Sequence, residues 1–251
     1  MRAYLFVFGL LICTRGALAQ TEAQLTMGAD YSQGDYGLSG RTDIIALPFR
    51  IKISKAPVAV SLAGSQLLVR TPGALVAGTP IGNTAARSST SGVGDLHLTF
   101  TRNLDPLAGW YLDASARVKI PTASFDKGLG TGKFDYTLLL DGFAPIGHWL
   151  PFASLGYQIT GRRATLRLRN ALRGSLGVAR QIGAHSQGAI SIDYRAATSR
   201  SATDSLEVIP SFSIKMHKDW TLGTYGVIGL SDGSPDFAAG VQLSWRQLLP
   251  H

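Results

Sequence analysis

The sequence has almost no cysteine and comparatively few charged residues. Its single cysteine, Cys13, lies in an N-terminal segment that we expect to be removed, so the remaining chain would contain no disulfide. Charged residues make up 16% of the chain, whereas soluble domains typically carry about 25%, and glycine occurs 29 times. This composition is unusual for a soluble exported protein and ordinary for a membrane β-barrel, in which backbone hydrogen bonds hold the chain together.

Long hydrophobic runs are also missing beyond the N-terminus. No later apolar run approaches 18 residues, which excludes a transmembrane helix. Apolar and polar residues instead alternate with a period of two, the pattern of a β-strand with two different faces. The clearest example runs from Asp43 to Ser54, where Ile45, Leu47 and Phe49 alternate with polar neighbours. Pro48 falls on the polar face and predicts a bulge in this strand.

The first 19 residues have the pattern of a signal peptide. Arg2 supplies a positive charge, 5–13 is an apolar run too short to span a bilayer, and Ala17-Leu18-Ala19 has the small-x-small form of a cleavage site. We therefore expect export, cleavage before Gln20, and one β-barrel over 20–251. The net charge of +8 would suit a nucleic-acid partner, but export and the scattered positions of the basic residues argue against that.

The alternation predicts an antiparallel up-and-down transmembrane β-barrel of about twelve strands. The predicted strands are 24–36, 43–54, 58–70, 93–101, 110–120, 134–143, 154–160, 166–178, 190–195, 206–215, 220–230 and 237–246. Short turns alternate with longer loops, of which 71–91 is the longest, so we expect short periplasmic turns and long extracellular loops. Ten or fourteen strands remain open alternatives. Aromatic residues near strand ends are candidates for the girdles at the membrane surfaces: Tyr36, Trp110, Trp149, Trp220 and Trp245.

One hairpin, 119–143, carries a family resemblance. It reads KIPTASFDKGLGTGKFDYTLLLDGF, and the upstream segment 91–98 reads SGVGDLHL. Together these motifs resemble the meta-pathway phenol-degradation family of bacterial outer-membrane transporters, most closely over 91–161. The resemblance implies a β-barrel in the outer membrane and suggests aromatic or hydrophobic catabolic substrates.

The polar faces of the predicted strands place many ionisable side chains inside the barrel. A barrel interior cannot hold so many charges dry, because burying an unpaired ion costs several kcal/mol. We therefore predict a narrow, hydrated channel with a net basic wall that prefers anionic or polar aromatic solutes. The alternative is that the charges pair across the barrel and plug it. The predicted lumen-lining residues are Arg50, Lys52, Asp95, His97, Asp113, Arg117, Lys119, Asp135, Asp141, Arg167, Arg169, Arg173, Asp193, Arg195, Glu207, Lys215 and Arg246.

The glycine-rich loop of the hairpin has the composition of a phosphate-binding loop but not its ending. Phe134 follows Lys133 where a phosphate loop has serine or threonine, and no helix follows. We interpret the loop instead as an extracellular segment that folds inward and narrows the pore. The constriction candidates are Asp126, Lys127, Gly128, Gly130 and Gly132.

Asp95 and His97 give the best hint of catalysis, because they share the polar face of one strand. No serine motif completes a nucleophilic triad beside them, so we assign no catalytic residue and interpret the two as a packed polar pair. The five histidines have no metal-ligand spacing, which leaves no predicted metal or cofactor.

Together these features predict a channel or transporter for small solutes in the bacterial outer membrane. The alternatives are an outer-membrane lipid-modifying enzyme and a structural or adhesive barrel. The expected partners are outer-membrane lipid and lipopolysaccharide, a small-molecule solute and the machinery that inserts barrels, with no nucleic acid.

Overall fold

The computed structural model describes residues 20–36, 40–71, 74–76, 79–81, 88–163, 166, 168–199 and 202–250, so the predicted signal peptide and Arg167 lie outside the described residues. Its regular structure is entirely β. The strands are β1 (Glu22–Gly34), β2 (Thr42–Lys55), β3 (Val58–Thr71), β4 (Ala74–Val76), β5 (Thr79–Ile81), β6 (Ser88–Val93), β7 (Leu96–Asn103), β8 (Tyr111–Ile120), β9 (Asp135–Phe143), β10 (Trp149–Ile159), β11 (Ala171–Gln181), β12 (Ser186–Arg195), β13 (Ser205–Lys215), β14 (Trp220–Gly229) and β15 (Phe237–Leu248). In the described ranges no helix is long and apolar enough to cross a membrane.

The sheet closes on itself. Neighbouring strands pair antiparallel in chain order, and β1 pairs with β15 from Glu22 opposite Leu248 to Gln33 opposite Phe237. β6 and β7 both pair with β3 and form one wall strand that is interrupted at Gly94 and Asp95. The wall therefore has twelve strands, which confirms the predicted up-and-down barrel. β4 and β5 form a separate hairpin.

The outer surface of the wall is apolar. Alternate residues along the strands are large, hydrophobic and exposed, as at Ile51, Leu138 and Leu155. Exposed side chains of this kind on nearly every wall strand form a belt suited to lipid. The longest connections, 72–87, 121–134, 160–170 and 196–204, all lie at one end of the barrel, here the long-loop end. The opposite, short-turn end includes the two-residue turn 56–57.

Tryptophan residues mark the short-turn end. Trp110, Trp149 and Trp220 are exposed there, and the rings of Trp220 and Trp245 lie 6.5 Å apart. Such amphipathic rings favour the boundary between hydrocarbon and headgroups. Tyr36 does not belong to a girdle, because it is buried at the long-loop end and its hydroxyl donates a hydrogen bond to Ser32.

Several local predictions were wrong, and three of them have a clear physical reason. The first is the long loop 71–91, because β6 begins at Ser88 and pairs with the last residues of β3, from Gln66 to Thr71. The sequence of β6, SSTSGV, contains one large apolar residue, so alternation could not reveal it.

The second wrong prediction is the start of the eighth wall strand. β11 begins at Ala171 rather than at Leu166, and the preceding residues belong to the loop from β10. Their polar side chains bond to other loop segments: the Asn170 side chain accepts a hydrogen bond from the Thr160 amide, and Arg169 donates to the Ala197 carbonyl. Leu168 forms a single bridge with Ser199.

The third is the bulge at Pro48. Met27 pairs with Phe49 and Asp30 with Ala46, so the register between β1 and β2 is the same on both sides of the proline. Gly28 lies opposite Pro48, and its missing Cβ leaves room for the proline ring and for the Val241 carbonyl on β15. The wall therefore tolerates the lost amide donor without inserting a residue.

Leu155 and Ser154, adjacent residues in the middle of β10, test which face meets lipid. Leu155 is exposed on the outer surface, whereas Ser154 faces the interior. We expect Leu155→Arg to lower the free energy of unfolding in lipid vesicles by about 2–4 kcal/mol, because the charge would enter hydrocarbon. Ser154→Arg is the matched control and should cost less than about 1 kcal/mol. Equal losses in guanidinium titrations of both variants would contradict the assigned orientation.

Candidate functional site: the barrel interior

Three arginines lie close together inside the barrel, here the arginine cluster: Arg50 on β2, Arg117 on β8 and Arg173 on β11. Arg117 lies close enough to both Arg50 and Arg173 for their positive charges to repel. His97 on β7 faces the same region and lies within the field of Arg117 and Arg173. The interior therefore has a concentrated positive charge contributed by separate parts of the wall.

The arginine cluster has few polar partners from the protein. Arg117 Nε donates to Thr99 Oγ1 at 3.2 Å, and Arg173 Nη2 donates to Gln158 Oε1 at 3.0 Å. Among the described residues, the Nε atoms of Arg50 and Arg173 have no hydrogen-bond acceptor, and neither residue forms an ion pair. A buried guanidinium N–H without an acceptor is costly, so these two Nε groups favour contact with water or an anion.

A second interior group pairs one cation with two carboxylates. Lys119 Nζ lies 2.9 Å from Asp135 Oδ2 and 3.3 Å from Asp95 Oδ2, and it donates to Thr131 Oγ1 at 2.8 Å. All four residues are buried. The three strands bring these groups together because β7, β8 and β9 are consecutive in the wall and His97, Lys119 and Asp135 share one row of its register.

The loop 121–134 is tied to this group and folds into the barrel. The Ala123 amide donates to Asp95 Oδ1 at 3.0 Å, and Thr122 Oγ1 donates to the Gly94 carbonyl at 2.9 Å. The Leu96 amide in turn donates to Thr122 Oγ1. The interruption between β6 and β7 thus supplies the polar groups that hold the beginning of the loop.

The middle of the loop is anchored by apolar contact. Leu129 and Ala123 are buried in one cluster with Ala46, Leu67 and Val69, which belong to the inner faces of β2 and β3. Wall and loop residues that are far apart in the sequence therefore bury one another near the long-loop end. An apolar interior patch on the wall is covered by the loop instead of by water.

The glycines of the loop have distinct reasons to be glycine. Gly128 and Gly132 have φ of 69° and 66°, values that residues with a Cβ rarely adopt. A Cβ on Gly130 would lie 2.8 Å from the Ala123 Cβ. The remaining constriction candidates, Asp126 and Lys127, are exposed.

Arg163 fixes the far side of the same loop. Its guanidinium lies 3.4 Å from the centre of the Phe125 ring, and its Nη1 donates to the Thr131 carbonyl at 3.4 Å. Sequence reasoning missed Arg163, Thr131 and Leu129, because nothing in strand alternation shows which loop residues turn inward.

An aromatic group, also missed, lines the interior at the short-turn end. The rings of Tyr111 and Phe143 stack with their centres 5.3 Å apart, and Phe152 is the register partner of Phe143. These residues share the inward parity of Asp113 and Asp141, which pair directly across β8 and β9. The three rings, here the aromatic trio, are each only partly buried and so present a surface to the interior.

The other predicted residues are spread over the rest of the wall. Asp193 and Glu207 pair in register, and each carboxylate accepts a hydrogen bond from a serine, Ser191 or Ser205. Arg246 Nη1 lies 3.6 Å from Glu22 Oε2 near the short-turn end. Lys52 and Arg195 are partly buried in β2 and β12, and Lys215 is exposed at the end of β13.

Arg169 lies in the loop from β10 to β11 and not on a wall strand. Its Nη2 lies 3.3 Å from Asp204 Oδ1 in the neighbouring long loop. Asp204 also accepts hydrogen bonds from the Tyr194 hydroxyl and the Ala197 amide, which lower the pKa of this carboxyl. The predicted lining role of Arg169 does not fit this position, because its side chain joins two loops at the long-loop end.

Asp95 and His97 do not form a catalytic pair. Both carboxylate oxygens of Asp95 are engaged, one by Ala123 and one by Lys119, and His97 Nδ1 has no hydrogen-bond partner among the described residues. Throughout the residues that the structure describes, no three His, Cys, Asp or Glu side chains are placed to hold a metal ion.

Comparison with known proteins gives one family and several similar folds. A family model described as "Putative MetA-pathway of phenol degradation" matches residues 28–247. An outer membrane channel from Pseudomonas putida F1 superposes with a TM-score of 0.68 at 13% identity, covering 92% of this chain and 97% of that chain. The NanC porin gives a TM-score of 0.57 at 11% identity, covering 90% of this chain and 100% of that one. No curated protein matches the chain by sequence.

Lys119→Met tests the group that holds the loop. The substitution leaves Asp95 and Asp135 buried without their shared cation, and we expect the free energy of unfolding to fall by about 3–5 kcal/mol. Guanidinium unfolding in lipid vesicles measures this change. Lys127→Met is the control, because Lys127 is exposed and makes one long contact, 3.4 Å to the Ser91 carbonyl, so its effect should be within about 0.5 kcal/mol. A Lys119→Met protein as stable as the unmodified protein would refute the structural role.

Proposed function

Because the chain belongs to the family described as "Putative MetA-pathway of phenol degradation", we propose that it is a channel of the bacterial outer membrane for small solutes. The observation that carries this proposal is the arginine cluster. Two buried guanidinium nitrogens, Nε of Arg50 and Nε of Arg173, have no acceptor among the described residues, and such groups inside a barrel with an apolar outer belt call for a hydrated interior. The outer membrane channel and the porin that share the fold support the same role.

The charge of the interior favours anionic solutes. Arg117 repels both Arg50 and Arg173, and the two carboxylates that act on the cluster, Asp141 and Asp135, are fewer than its three guanidinium groups, which lowers the energy of an anion beside them. Asp135 is also paired with Lys119, as is Asp95. An anion passing the barrel would therefore meet its strongest attraction at the arginine cluster.

An aromatic anion fits the interior best. The aromatic trio offers stacking surfaces at the short-turn end, and ring-to-ring contact contributes about 0.5–1.5 kcal/mol beyond the area buried. The family description, which names phenol degradation, supports the same substrate class. We propose no catalytic role, since the one candidate carboxylate, Asp95, is held by Lys119 and Ala123.

The loop 121–134 serves as the constriction in this proposal. It enters the barrel on the side of β2 and β3 and is held by both ion pairing and apolar contact. Its apolar contact with the wall lies near the long-loop end, where solutes would enter from outside the cell. The width of the path then depends on how far Leu129 and its neighbours extend from the wall.

Ion selectivity in planar bilayers tests the channel and its charge. In a salt gradient we expect conductance steps with a preference for anions, and Arg50→Gln combined with Arg173→Gln should lower the anion-to-cation permeability ratio by roughly twofold or more. The control is Arg102→Gln, an exposed residue at the short-turn end of β7, which should leave the ratio unchanged. The absence of conductance steps from folded protein would overturn the channel itself.

Removal of the loop tip tests the constriction. Deleting Gly128 to Gly132 takes away the residues around Leu129 that pack on the wall, so we expect a larger single-channel conductance. The double substitution Asp126→Asn with Lys127→Met changes exposed residues of the same loop and should leave conductance close to that of the unmodified channel. An unchanged conductance after the deletion, in protein that still folds, would show that the loop does not limit the path.

A further inference from the structure

A groove of about 540 Å³ lies on the outer surface of the barrel near the short-turn end. β10, β11 and β12 form it, and its lining combines a tryptophan, an arginine, small residues and aliphatic side chains. The lining residues are Trp149, Val178, Arg180, Gln181, Ile182, Gly188, Ala189 and Ile190. The groove lies outside the wall and is separate from the interior site.

Gly188 creates the depression between larger neighbours. Arg180 is the register partner of both Trp149 and Gly188, so the arginine stands between a large ring and a position with no side chain. A Cβ on Gly188 would lie 3.0 Å from the Ile182 side chain, which already leans over this position. The groove therefore follows from a small-residue position beside two bulky ones.

Arg180 has no anionic partner in the described chain. It is exposed, and its guanidinium lies 4.8 Å from the centre of the Trp149 ring, a cation–π distance. It forms no ion pair or hydrogen bond through its side chain with a described residue. A cation fixed at the level of the tryptophan girdle faces the zone of lipid phosphates.

Apolar residues continue from Arg180 toward the middle of the barrel wall. Val178 and Ile190 are register partners on the outer face, and Leu176 and Ile192 form the next outward pair. Ile190, Leu176 and Ile192 are all exposed. A cation at Arg180 and two apolar residue pairs beside it match the polarity of a phospholipid. Its headgroup would lie at the short-turn surface and its acyl chain along the two pairs.

We propose that this groove binds a phospholipid with a net negative headgroup, phosphate against Arg180 and one acyl chain along Val178 and Ile190. The site rests on the membrane location proposed above. It does not depend on what passes through the interior. The lipid fills the groove and supplies the counter-charge that the protein lacks there.

Fluorescence of Trp149 tests the site directly. The chain has four tryptophans, so Trp110→Phe, Trp220→Phe and Trp245→Phe leave Trp149 as the only reporter. The protein is folded into phosphatidylcholine vesicles that contain a fixed fraction of brominated phosphatidylglycerol. Since one arginine near a membrane surface contributes about fivefold to anionic-lipid binding, we expect Trp149 quenching to indicate about fivefold enrichment of phosphatidylglycerol. High salt should weaken the enrichment.

Two variants separate the site from general surface charge. Arg180→Gln should reduce the enrichment to the bulk value, while Arg102→Gln, on β7 away from the groove, should preserve it. Absent enrichment, enrichment that survives Arg180→Gln, or equal loss in both variants would overturn the lipid site.

Quenching by brominated phosphatidylcholine and heat-modifiable gel migration report membrane insertion independently. Insertion without enrichment would overturn the lipid site alone. A chain that does not insert would overturn both this site and the proposed membrane channel.

Discussion

Satisfaction of every backbone amide and carbonyl is the constraint on which this structure depends. Hydrocarbon offers no hydrogen-bond partner, so an open sheet edge cannot be stable within a membrane. The pairing of β1 with β15 removes the two edges that a meander of strands would otherwise expose. Closure also divides alternate residues into an outer and an inner set. The apolar belt and the charged interior are therefore two results of the same hydrogen-bonded ring.

The charges of the interior are unevenly distributed, and this separates a structural part from the part that we propose to act on solutes. Lys119 is surrounded by acceptors, two carboxylates and a hydroxyl, and it fixes the loop 121–134. In the arginine cluster, Nε of Arg50 and Nε of Arg173 have no acceptor among the described residues, and the proposed channel leaves them to interact with water or solute. Satisfied buried groups make the wall rigid, whereas in the proposed channel the unsatisfied ones are available to a solute. The same strand, β8, carries Lys119 and Arg117 and so joins the two parts.

The sequence could predict the barrel because alternation reports a wall with two faces directly. It predicted the number of wall strands and the exposed faces of Ile51, Leu138 and Leu155. It failed where local sequence does not determine the contacts. β6 was invisible because its stability comes from pairing with β3, and Leu129 could not be placed because its partners, Leu67 and Val69, are distant in the chain. Charges on the inner parity were recognisable, but their pairing depends on register, as for Lys119 with Asp135.

The difference between the two ends of the barrel has a consequence for how the protein is made. A chain arriving from the short-turn side has to carry every long, polar connection through the hydrocarbon before the ring is complete. Short turns such as 56–57 stay on the short-turn side and do not have to cross the hydrocarbon. The junction of β1 and β15 joins the first and the last strands of the described barrel, so it can form only after β15 has been synthesised. The lengths of the connections therefore indicate the side from which the chain inserts.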